Sequence, residues 1–139
     1  MTKYTALCAA SGIVWAGIAW LIGFTQIPGL LWCGLLAAPV IGIITGAVYL
    51  PAYRHSRWVR ALYALGTLYL AVALFGIAVG VADALRDIPG RSFGGLLLQG
   101  VLGTLWGVTF TGYVIILWPL AFANHGFLER YRESSANPQ

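Results

Sequence analysis

The sequence predicts an all-α integral membrane protein, a four-helix bundle built from two tandem α-hairpin repeats. Three observations carry this. Four apolar runs without Lys, Arg, Asp or Glu dominate the chain: Ala6–Phe24, Leu30–Leu50, Ala61–Ala82 and Leu96–Ala123. Charged residues make up 9% of the 139 positions, against about 25% in soluble domains. An Ile-Pro-Gly turn precedes both the second and the fourth run.

Each run approaches or exceeds the roughly 20 apolar residues needed to cross a bilayer core. The length gives a single transmembrane domain over residues 1–139, with a polar tail from Asn124 to Gln139. The first run begins after Lys3 but is followed at once by a second, so it is read as an uncleaved helix and not a signal peptide. The fourth is long for one crossing and predicts a tilted or kinked helix, with Pro119 near its end.

Charge sets the expected orientation. With the N-terminus inside, one side carries Lys3, Arg54, Arg57, Arg60, Arg130 and Arg132, and the other Arg86 and Arg91. The excess predicts both termini in the cytoplasm, and the expected location is a bacterial inner membrane. The net charge of +4 reflects this topology and not nucleic-acid binding. Arg54, Arg57, Arg60, Arg130 and Arg132 are candidates for contact with anionic lipid headgroups.

Aligning Gln26–Gly46 with Asp87–Gly107 gives nine identities in 21 ungapped positions. Two helices per copy predict copies related by a pseudo-two-fold axis along the membrane normal. Glycines recur on single faces: Gly34, Gly42 and Gly46 in the second run, Gly76 and Gly80 in the third, Gly95, Gly103 and Gly107 in the fourth. Residues four apart share a helix face, and small residues let helices approach closely in lipid. These glycines are expected to be packing surface, with the second and fourth helices meeting near the axis.

Polar groups inside the runs are few. Gln99, opposite Ala38 of the other copy, and Thr104 are expected to bond between helices or to touch a quinone, carotenoid or lipid headgroup. Asp83 is expected to pair with Arg86 at the membrane edge; a transport carboxylate is the alternative. Cys8 falls near the inner end of the first helix and Cys33 near the outer end of the second, most of a bilayer apart and too far for a disulfide. His55 and His125 lie outside the runs, which argues against haem, and the single Lys3 argues against retinal. No metal-ligand set and no catalytic group is indicated.

The functional expectation is a non-catalytic accessory or scaffolding subunit. It would pack against other membrane-protein subunits or itself, or hold lipid or a hydrophobic cofactor. The alternatives are a small transporter or channel working as an oligomer, and a lipid-modifying enzyme using His55 and His125 at the inner face.

Overall fold

The computed structural model describes residues 2–21, 30–86 and 90–136. These form helices α1 (Thr2–Ala19), α2 (Leu30–Tyr49), α3 (Arg57–Ala84), α4 (Phe93–Phe110) and α5 (Tyr113–Ala136), with a 3₁₀ turn at Leu50–Arg54 between α2 and α3. The first Ile-Pro-Gly turn and Ile88-Pro89 of the second lie outside the described residues, as does the side chain of Cys33. Among the described residues, three helical stretches are long and apolar enough to cross a membrane: Gly34–Arg54, Arg57–Ala84 and Phe93–Phe110. The described part of α1 opens on polar Thr2-Lys3-Tyr4-Thr5 and is not among them. The chain is thus an all-helical, multi-pass membrane protein.

The helices form a row in which α1 packs on α2, α2 on α3 and α3 on α4. The two hairpins close through backbone approach at small residues. A side chain on Gly12 would run into the carbonyl of Ala38, and one on Gly42 into the carbonyl of Cys8. Gly46 faces the Cys8 side chain, and Gly34 faces the ring of Phe75 across the α2–α3 seam. In the second hairpin, Gly76 and Gly80 lie against the backbone of Leu96, Leu97, Gly100 and Val101. Thr104 secures this seam by sharing its hydroxyl between Val72 O (3.2 Å) and Gly100 O (2.9 Å).

Two expectations change here. First, α2 and α4 do not pack together; α3 separates them. The packed face of α4 is Leu96–Gly100–Thr104, one residue round from the Gly95–Gly103–Gly107 stripe. Gly103 and Gly107 have no neighbour within 4 Å of where a Cβ would stand, and Gly95 has only the hydroxyl of Ser92, which caps its own helix. The difference between the hairpins has a local cause. Pro39 stands in the first copy where Gly100 stands in the second, and a proline ring excludes the backbone approach that a glycine allows. In the first hairpin the closest approach is at Ala38 and Gly42 instead. The aligned segments therefore pack through non-equivalent residues.

Second, the long last run is not one helix. Thr111 ends α4, its N–H bonding to Gly107 O at 3.1 Å, and Gly112 follows with φ of 75°. That left-handed conformation is the usual glycine stop after a helix. Ile115 N–H then bonds to Gly112 O at 3.0 Å, opening α5. The contacts of α5 cluster at one end of the row, the near end, where α1 begins and the 3₁₀ turn joins α2 to α3. Trp118 Nε1 donates to Ala61 O (2.8 Å), and eleven positions later Glu129 pairs with Arg60. Eleven residues of helix span roughly 16 Å, yet both contacts return to adjacent positions on α3. Helix α5 therefore crosses α3 and does not run along it.

Candidate functional site

The row α1–α2–α3–α4 is curved, and its outer members do not close against each other. Its concave side holds a half-open cleft of about 590 Å³ to which all five helices contribute. Small residues line it: Gly12 and Ala16 of α1, Gly34, Ala38 and Gly42 of α2, Ala71 of α3, and Gly100, Gly103 and Gly107 of α4, of which Gly103 and Gly107 leave open space where a side chain would stand. Gly103 and Gly107 thus line the cleft and do not contact a neighbouring helix. The walls are otherwise Trp15, Leu68, Val72, Phe75, Val108 and Leu117, with Trp20 toward the far end.

Polar side chains gather at the two ends. At the far end, Gln99 Oε1 accepts from the Arg91 guanidinium, and Asp83 pairs with Arg86 at 3.3 Å. Gln99 is exposed there, so its partner is an arginine from the preceding turn and not a facing helix. Thr104 is committed to the α3–α4 seam.

The near end is built by α5. The residues α5 turns inward, Leu117, Ala121, Asn124, His125 and Leu128, recur at helical spacing and cover the cleft. The opposite face exposes Ile115, Ile116, Leu120 and Phe127. Ser11 Oγ donates to Asn124 Oδ1 (2.9 Å), tying α5 to α1. His125, 4% exposed, is the most enclosed titratable side chain of α5. Its Nε2 lies 2.9 Å from Thr67 Oγ1, and Thr67 also donates to Ala64 O at 3.1 Å. Its ring is stacked on Tyr49, and its Nδ1 is buried without a hydrogen-bond partner. Burial away from water penalises the imidazolium form and pushes the His125 pKa down to about 4.

Around this contact lies a knot of aromatic and charged groups. Tyr49, Ala52 and Ala64 are fully enclosed, with Tyr53, Tyr63, Trp118 and Phe122 packed on them. Tyr53 OH donates to His125 O (3.3 Å) and meets Tyr4 OH (3.3 Å). Arg60 is half-buried in its ion pair with Glu129, while Arg54, Arg57, Arg130 and Arg132 are exposed. Arg60 and Arg132 each place the guanidinium carbon 5.9 Å from the Tyr53 ring centre. His55 is exposed and bonds to Pro51 O at 3.0 Å, so the two histidines occupy separate environments.

Sequence reasoning did not single out Gly12, Gly100, Ser11, Thr67 or Asn124. Faint signals were present. Ser11 and Thr67 are isolated polar residues within apolar runs, Asn124-His125 follows directly on the last run, and Thr111-Gly112 interrupts that run.

Comparison with known proteins adds a partial likeness. Over 54 residues the chain is 44% identical to a DNA translocase FtsK of Azospirillum brasilense, a stretch that covers 39% of this chain and 9% of that protein. The chain thus matches less than a tenth of the length of that relative. No family model matches the sequence, and no solved structure matches it.

Proposed function

We propose that this protein is a non-catalytic membrane subunit that holds a lipid or hydrophobic cofactor in the cleft between α1 and α4. The observation that carries this is the cleft itself: about 590 Å³, apolar along its length, and open on one side. A space of this size in a bilayer does not stay empty, because its lining would forgo dispersion contacts that lipid chains readily supply. A single chain or ring system fits, within the roughly 300–1,000 Å³ of small-molecule sites.

The charge asymmetry supports a topology with the near end, both termini and α5 on the cytoplasmic side. The exposed Arg54, Arg57, Arg130 and Arg132 would then meet anionic headgroups. The likeness to a fragment of an Azospirillum brasilense protein supports a bacterial inner membrane.

The test is extraction and mass spectrometry of protein purified in mild detergent, beside Gly103→Leu. Gly103 lines the cleft without touching another helix, so the leucine fills the cleft and leaves the fold intact. An equimolar lipophile in the native protein, missing from folded Gly103→Leu, is the expected result. A native protein free of bound lipophile, with Trp15 fluorescence unquenched by brominated acyl chains, would overturn it.

A further inference from the structure

The uncommitted groups at the near end specify what the cleft would bind. Among the described residues, seven uncharged polar side chains line that end: Ser11, Thr45, Thr67, Asn124 and His125, with Thr111 and Tyr113 at the α4–α5 junction, Thr111 bonding back to Gly107 O. The hydroxyls of Ser11, Thr45 and Thr67 are already directed at Asn124 Oδ1, Ile41 O (2.8 Å) and Ala64 O. The amide nitrogen of Asn124 has no partner among the described residues. Ser11 engages one end of that amide, so in either orientation of the group at least one N–H is left over. A second polar atom, Nδ1 of the 4% exposed His125, is also unmatched, but with Thr67 donating to Ala64 O the ring proton sits on Nε2, so Nδ1 is an acceptor and does not compete for the same ligand atom. Asn124 is half-buried on the cleft wall, so its spare N–H is a donor that an oxygen brought into the cleft can use.

Charge narrows the class further. Among the described residues, the charged side chain in the cleft lining is Asp83, at the far end and paired with Arg86. Near Asn124, Arg60 and Glu129 neutralise each other outside the lining. A phosphate or carboxylate head would find no cation among the described residues lining the near end, and an ammonium would find no anion. A neutral oxygen acceptor fits.

Building on the lipophile-holding role proposed above, we infer that the occupant is a neutral carbonyl-bearing lipid. Its carbonyl oxygen accepts from the Asn124 amide, and its single apolar chain lies along the open Gly103–Gly107 slot of α4. Two sources share this chemistry, a prenylated quinone and a neutral glycerol ester. The seat at the near end matches either, because it lies where helices meet the polar boundary.

The test uses the full chain in phosphatidylcholine nanodiscs. A headless pyrene-alkane occupies the cleft, and a decyl-benzoquinone or dioctanoylglycerol displaces it. Both carbonyl lipids are expected to displace the probe, the tighter one naming the source. Asn124→Leu is expected to weaken them about five- to ten-fold more than it weakens the pyrene-alkane, the worth of one hydrogen bond. Isotope-edited infrared spectroscopy of the native complex needs no variant. The bound carbonyl stretch should fall below its value in plain bilayer. Carbonyl-lipid affinity unchanged relative to the alkane in Asn124→Leu, or an unshifted stretch, with the alkane still bound, would overturn the head-group assignment alone. If neither alkane nor carbonyl lipid binds, the cleft is not a lipophile site, and both proposals fall.

Discussion

The imidazole of His125 lies flat on the phenol ring of Tyr49, with centroids 3.7 Å apart and planes within 2° of parallel. This stack joins the end of α2 to α5, two segments 76 residues apart in the chain. The edge of the imidazole is held on α3 by Thr67. Docking of α5 thus depends on a histidine that is buried and neutral.

Acid should therefore loosen α5. The folded pKa of His125 is about 4, below the ordinary 6.5. Between these values the undocked form binds more protons, so stability rises with pH. The contribution is fully present above about pH 6.5 and is lost as pH falls toward 4. A gap of that width corresponds to on the order of 3 kcal/mol. Thermal unfolding in detergent at about pH 7.5 and about pH 5, on either side of the unfolded value, should show the drop. His125→Gln should flatten the difference between the two conditions; an undiminished difference would assign the acid sensitivity to another group.

Leucine substitutions should sort the glycines by face. Gly42→Leu and Gly100→Leu would drive side chains into the backbones of α1 and α3. Each is expected to cost about 3 kcal/mol, the upper range for overpacking. Gly103→Leu and Gly107→Leu meet open space and should stay within about 0.5 kcal/mol of the native protein. Equal losses at Gly100 and Gly103, in a denaturation series, would contradict the observed α4 face.

Gly112→Ala tests the break between α4 and α5. A Cβ has room there, so the cost comes from φ of 75° alone, about 1–2 kcal/mol. Reduced thermal stability with α4 retained by circular dichroism is expected. No loss would mean that the chain passes this point in an ordinary helical conformation.

Cys8 is buried and unpaired. It should resist maleimide in the folded protein and react once the chain is unfolded. Impermeant labels placed at Arg57 and at the C-terminus should report the cytoplasmic side in intact cells. Labelling of either from outside would reverse the proposed orientation.

Solvent and length scale were legible in the residues alone. Uncharged runs of membrane length leave few alternatives to helices in lipid, and the charged residues that separate them mark where helices end. Asp83 and Arg86 could be paired from the sequence because their spacing puts them together. The spacing of Gly34, Gly42 and Gly46 suggested one small face on α2, but Gly42 and Gly46 meet α1 while Gly34 meets Phe75 of α3. Which face meets which neighbour was settled by packing between distant segments. A soluble helix is oriented by its apolar stripe, but a membrane helix is apolar all round, so periodicity cannot say where it turns. One residue rotates a helix by about 100°. That step separates the Leu96–Gly100–Thr104 face, packed on α3, from Gly103 and Gly107, open to the cleft. The break at Gly112, the crossing of α5 and the meeting of Ser11 with Asn124 also belong to the folded chain. Local composition does not encode such contacts, because any of several apolar surfaces could have buried α5 equally well.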